Sequence, residues 1–207
     1  MLWKQKEVSL LKAINDDKKF LVYSDGCGIG DSFVNKLRES NLLISNIRAG
    51  EVYEYKKLAH DHTIIPDLEI DHNKVFSSIE DRKKNLNHIV YLWFLDQAIN
   101  NISAPAQNST NENKFTFTSL GHIIEGLSKL KLEEPPMITI VMNGLYLVTG
   151  AETIYKDNIA VKEFMDSIST KYPTIKYRCV DIGDPPWNVD KLSDRLLKDL
   201  LNESGNN

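Results

Sequence analysis

The chain has 207 residues, 42% of them hydrophobic and 26% charged, with a formal net charge of −4. It is long enough for one large domain with a substantial core, and its composition is ordinary for a globular protein. The acid excess argues against a nucleic-acid partner or an anionic membrane surface. No apolar run reaches spanning length and Met1-Leu2-Trp3-Lys4 does not begin a signal peptide, so a cytoplasmic location is expected. The two cysteines, Cys27 and Cys179, fall in or beside predicted strands and read as buried thiols without a disulfide.

In chain order, residues 2–10 read as an isolated strand anchored by Trp3. Phe20, Leu21, Val22 and Tyr23 make a buried strand over 19–24, and the spacing of Phe33, Val34 and Leu37 predicts a helix over 29–40. A second strand follows at 42–49, with a turn at Gly50. Residues 51–58 read as extended, 60–71 as a loop with Pro66, and 73–87 as a polar helix carrying Val75, Phe76 and Ile79. The stretch 88–95 (HIVYLWFL) reads as the strongest strand, buried on both faces as in a parallel sheet. Residues 98–114, rich in Asn and Ser, read as an exposed loop.

A helix over 118–132 carries Leu120, Ile123, Ile124, Leu127 and Leu130, and Pro135-Pro136 ends it. Strand 137–142, helix 158–171 and strand 175–182 follow. Residues 188–202 form a C-terminal helix with Leu192, Leu196, Leu197, Leu200 and Leu201, a stripe that packs on the sheet or, less simply, pairs two copies. The tail 203–207 is expected to fray. This order predicts a single domain, 1–207: a doubly wound, mostly parallel α/β sheet with right-handed crossovers.

Between the first strand and helix lies Gly26-Cys27-Gly28-Ile29-Gly30. A strand, a glycine turn and a helix open a Rossmann-type unit, whose phosphate fingerprint is Gly-x-Gly-x-x-Gly. Counted from Gly26 the third site falls on Asp31, and from Gly28 on Phe33. Asp31 at the helix N-terminus sets a carboxylate where a pyrophosphate would accept N–H groups. The turn Gly26, Gly28, Gly30, Asp31 is therefore degenerate, and no cofactor-binding residue is expected in this chain. Ser24-Asp25 offers an acid, but before the turn rather than after the second strand. Arg48 ends that strand where an arginine would meet an NADP phosphate, yet with the turn spoiled it reads as a surface arginine. Cys27 reads as a small filler, with a reactive thiol at the helix N-terminus as the other possibility.

Three stretches together resemble the N-terminal, structural half of the ketoreductase domain of modular polyketide synthases. Trp3-Lys4-Gln5-Lys6-Glu7-Val8 looks like its tryptophan-bearing first strand, and Phe20 to Gly30 like its strand and degenerate glycine turn. His88-Ile89-Val90-Tyr91-Leu92-Trp93-Phe94-Leu95-Asp96 is similar to its Leu-Trp-x-Leu-Asp strand. Tyr172-Pro173 and the strand after it also match. The resemblance implies a degenerate short-chain dehydrogenase fold that has lost cofactor and catalysis. Such a half braces a catalytic half in the same polypeptide, which binds NADPH and reduces carrier-bound β-ketoacyl thioesters. The chain stops about where that half would begin, so it is expected to be a piece of an antibiotic-type synthase. Carrier protein and adjacent synthase domains are then further partners. Two alternatives stay open: a free-standing NAD(P)-dependent oxidoreductase, or a pseudo-ketoreductase used as a spacer or docking module.

An active short-chain dehydrogenase needs Tyr-x-x-x-Lys on the helix after its fifth strand, so that the lysine lowers the tyrosine pKa. Here Tyr155 is followed four residues on by Ile159, and Leu95-Asp96-Gln97-Ala98 replaces the expected asparagine turn. Tyr53 with Lys57 and Tyr172 with Lys176 match the spacing, but one lies on an extended segment and the other spans Pro173. No catalytic residue is expected. His60-x-His62, with Asp61, Asp67 and Asp71, has the residue types of a metal site but reads as a polar loop, so no metal is expected either.

Overall fold

The buried apolar runs become the middle of one sheet. The computed structural model describes residues 19–40, 42–79, 86–96, 112–130, 132, 134–147, 150 and 153–203. The elements in order are β1 (Lys19–Ser24), α1 (Ile29–Glu39), β2 (Leu43–Ala49), β3 (Glu54–Lys56), β4 (Asp61–Ile64), α2 (Glu69–Ser78) and β5 (Leu86–Tyr91). They continue as α3 (Glu112–Lys129), β6 (Met137–Met142), α4 (Lys156–Lys171), β7 (Lys176–Asp181) and α5 (Val189–Glu203). The sheet runs β3-β4-β2-β1-β5-β6-β7, parallel throughout except for the β3–β4 pair. This is the doubly wound α/β fold that the element order predicts.

Alternation along the strands divides the core between the two faces. Phe20, Val22, Ile44, Val90 and Val141 face α1 and α5, meeting Phe33, Val34, Leu37, Leu196 and Leu200. Leu21, Tyr23, Ile47, Ile89, Tyr91, Ile138 and Ile140 face α2, α3 and α4, meeting Val75, Phe76, Ile123 and Met165. Leu192, Leu196, Leu197 and Leu200 of α5 are thus spent on α1 and the sheet. From β1 the chain winds outward through β2 and β4, then returns to the other side through β5, β6 and β7. The switch point therefore lies between the C-terminal ends of β1 and β5, where open α/β sheets form a crevice.

Several boundaries differ from those predicted. The loop expected over 60–71 contains β4 and the start of α2. In β4, His62 and Ile64 turn inward while Asp61 and Thr63 stay half-exposed, a strand pattern too short and too polar to read from sequence. The polar helix begins at Glu69, not at residue 73, and stops at Ser78, with β5 starting at Leu86. The strand expected to reach residue 95 leaves the ladder after Tyr91. Its continuation turns under the crevice through Leu95 N–H to Leu92 O and Asp96 N–H to Trp93 O, fixed by Trp93 Nε1–H on Ser24 O at 2.9 Å. Burial there comes from packing, not pairing. Of the loop 98–114, residues 112–114 belong to α3 and 98–111 lie outside the described residues. So do Trp3, the strand over 2–10 and residues 204–207. Both cysteines are free and half-buried. Among the described residues no helix is long and apolar enough to cross a membrane.

Candidate functional site

The crevice is built by the turn after β1. Gly28 holds φ at +91°, a left-handed conformation that favours glycine. Gly30 lets α1 close onto β1, since a Cβ there would lie 2.7 Å from the Ser24 Cα. At Gly26 a Cβ would make only ordinary contact with the Asp96 carboxylate, Oδ1 nearest at 3.4 Å. Space and strain thus require glycine at the second and third positions and not at the first.

Asp25, only 5% exposed, folds back over the turn. Its carboxylate accepts the Gly30 N–H at 2.6 Å and the Ile29 N–H at 3.2 Å. These are first-turn donors of α1, the groups a bound phosphate would use. Beside it, Asp96 Oδ1 accepts the Gly26 N–H at 2.7 Å and faces the Cys27 thiol at 3.6 Å. Burial, with Asp25 adding to it, raises Asp96 to about 6 against the hydrogen bond from Gly26. Burial first, then Asp96 and Asp25, push the Cys27 thiol well above the ordinary range. Burial and both neighbouring acids thus oppose the thiolate that a nucleophile would need.

Asp31 lies in the first turn of α1 but points elsewhere. It pairs with Arg48 at 2.6 Å and accepts from Asn46 Nδ2 at 3.3 Å. Arg48 also lies 3.7 Å from Asp61, which Arg38 holds at 2.5 Å. The arginine placed to meet an NADP phosphate is therefore already engaged by two carboxylates of the chain. The spacing of the turn points to Asp31 as the acid that spoils it. The acid on the helix N–H groups is Asp25.

The second place for chemistry is the loop after β6. Asn143, nearly buried, donates to Asp184 Oδ1 at 3.2 Å, and its carbonyl accepts from Asn158 Nδ2 at 2.5 Å. Tyr155 caps α4 next to it, and burial followed by Asp184 raises its hydroxyl pKa, against a hydrogen bond with Asn143. A proton-donating tyrosine needs the opposite shift, and Ile159, one turn on, brings no ammonium. Tyr53 precedes β3 and its ring lies under Lys74, while Tyr172 ends α4 with Lys176 opening β7. Neither pair shares a helical face.

The polar loop residues do not converge. His62 stacks on Tyr55 at 4.3 Å, and burial lowers it to about 4. His60 faces the Tyr55 hydroxyl, and Asp71 accepts the Ile65 N–H and pairs with Lys74. Among the described residues two groups have metal-ligand spacing, Asp25–Cys27–Asp96 and Glu69–His122–Glu125, and neither contains His60 or His62.

No protein-family model matches the chain, and no curated protein does. Solved structures do. An adenylation, ketoreductase and pseudo Asub multidomain structure of a keto acid-selecting NRPS module is similar at 16% identity and TM-score 0.65, over 86% of this chain and 15% of that one. An N-terminal ketoreductase from the macrolactin assembly line matches at 13% identity and TM-score 0.64, over 88% of this chain and 36% of that one. A short-chain dehydrogenase from Burkholderia cenocepacia J2315, in complex with NADP, matches at 13% identity and TM-score 0.55, over 88% and 84%. The chain thus spans well under half the length of the first two. At these identities the likeness establishes the fold, and the chain has the Rossmann-like fold of the short-chain dehydrogenases.

Proposed function

We propose that this chain is the non-catalytic half of a polyketide-type β-ketoreductase domain and braces a catalytic half in the same polypeptide. That partner would bind NADPH and reduce carrier-bound β-ketoacyl thioesters. One observation carries the reading: Asp25 occupies the helix N–H groups that a dinucleotide would need. A pyrophosphate would have to break two charge-assisted hydrogen bonds, at about 1.5–3 kcal/mol each. It would then sit against the Asp25 and Asp96 carboxylates, like charge on like charge. The paired Arg48 and the tyrosine without an ammonium support the same conclusion. A scaffold is what such a sheet can still provide.

The test is reconstitution. Purified catalytic half, assayed with NADPH and a β-ketoacyl thioester, should gain reductase activity and thermal stability when this chain is added. No change in either, with both proteins folded, would reject the brace.

A further inference from the structure

On the sheet face opposite α1, α2 and α3 pack closely because position 126 is glycine. A Cβ there would lie 2.4 Å from the Phe76 ring. Near that contact α2 carries Glu69 and His72 one turn apart, and α3 carries His122 and Glu125 one turn apart. Each helix thus offers a carboxylate and an imidazole on one side. Ligand atoms of Glu69, His122 and Glu125 lie within 4.8 Å of one another. One nitrogen and two oxygens form a donor set that suits Zn2+.

Two further features point the same way. His122 Nε2 lies 3.2 Å from the Asp67 carbonyl and donates to it, leaving the lone pair on Nδ1, as in metal-bound histidines. His72 is fully buried, with its ring 5.4 Å from that of His122 and its Nε2 3.0 Å from the Pro66 carbonyl. Its Nδ1 has no partner among the described residues, which folded proteins seldom leave so. A cationic group is already drawn here: Lys129 Nζ lies 2.8 Å from Glu125 and 3.2 Å from Glu69. Asn73 Nδ2, at 3.3 Å, is the other group on Glu69.

We propose that Glu69, His122 and Glu125 bind a Zn2+ ion that clamps α2 to α3, in exchange for the exposed Lys129 ammonium. Three protein ligands leave a fourth position open on the ion. The clamp does not depend on the ketoreductase reading.

The full chain is titrated with Zn2+ by calorimetry and melted with and without the ion. A Cys27→Ser background keeps the Asp25–Cys27–Asp96 group from competing. One equivalent should bind and raise Tm. His122→Ala and Glu125→Gln should each weaken binding roughly tenfold or more, and Lys129→Gln should tighten it about two- to fivefold. Glu125 is exposed, so Glu125→Gln keeps the test open if His122→Ala fails to fold. Absence of saturable binding, or binding unchanged in Glu125→Gln, overturns the proposal.

Discussion

The turns after β1 and β6 each rely on one aspartate to collect backbone N–H groups. Asp25 takes those of Ile29 and Gly30, while Asp181, reaching from the end of β7, takes those of Gly144, Leu145, Tyr146 and Gly183. The difference lies in what stands behind the donors. Under Asp25 they begin α1, so the helix dipole adds to them and an anion could replace the carboxylate. Under Asp181 they belong to the loops after β6 and β7, which have no dipole of their own. Both aspartates thus hold their turns together, but only the first sits on donors that also suit an anion.

The largest effect should come from Asp25→Ala. Losing two charge-assisted bonds at a helix terminus should cost about 3–4 kcal/mol in denaturant unfolding. Inorganic phosphate should then raise the variant's Tm more than that of the parent, because the α1 donors are open to an anion. Asp181→Ala should cost about 2–3 kcal/mol, and phosphate should restore none of it. Equal rescue of both variants would erase the distinction between the turns.

Asp96→Asn should move stability the other way. In the folded chain Asp96 is raised, chiefly by burial, from 3.8 to about 6. The unfolded chain releases this proton first, so stability falls as pH rises between those values and stays reduced above pH 6. Asparagine keeps an acceptor for Gly26 without the charge. The variant should gain on the order of 1–3 kcal/mol above about pH 6 and nothing below about pH 4. The difference between variant and parent is the quantity to follow. His62 and His72, both lowered to about 4 by burial, work in the opposite sense and lose stability as pH falls from the ordinary histidine value toward 4. The smallest effect belongs to Gly28→Ala, about 1 kcal/mol from the left-handed backbone alone, since no atom lies within 4 Å of the added Cβ.

Much of the fold is legible in the sequence where burial and pairing coincide. The run MITIVM gives β6 its observed bounds, Met137–Met142, because every residue of a central parallel strand can be apolar. Where the two part company the reading misleads. Trp93, Phe94 and Leu95 are as buried as strand residues but lie in a turn and the start of a helix beyond the strand. Three of the four residues of β4 are polar, and Asp61 finds Arg38 and His62 finds Tyr55 only in three dimensions. The crevice is a similar case. Gly28 and Gly30 are recognisable from spacing, since backbone conformation and close approach require them. The exchange of Asp31 for Asp25 is not, because Asp31 is drawn away by Arg48 from the neighbouring strand. Asp96 shows in the sequence only as a departure from an expected turn, and nothing local links it to the Gly26 N–H, 70 positions away.

Calorimetric titration of NADPH into the intact chain tests the self-capped turn most directly. With Asp25 seated on α1, no saturable heat should appear up to millimolar coenzyme. Stoichiometric binding at micromolar concentration, lost on changing Gly28 to leucine, would show that the crevice still accepts a dinucleotide.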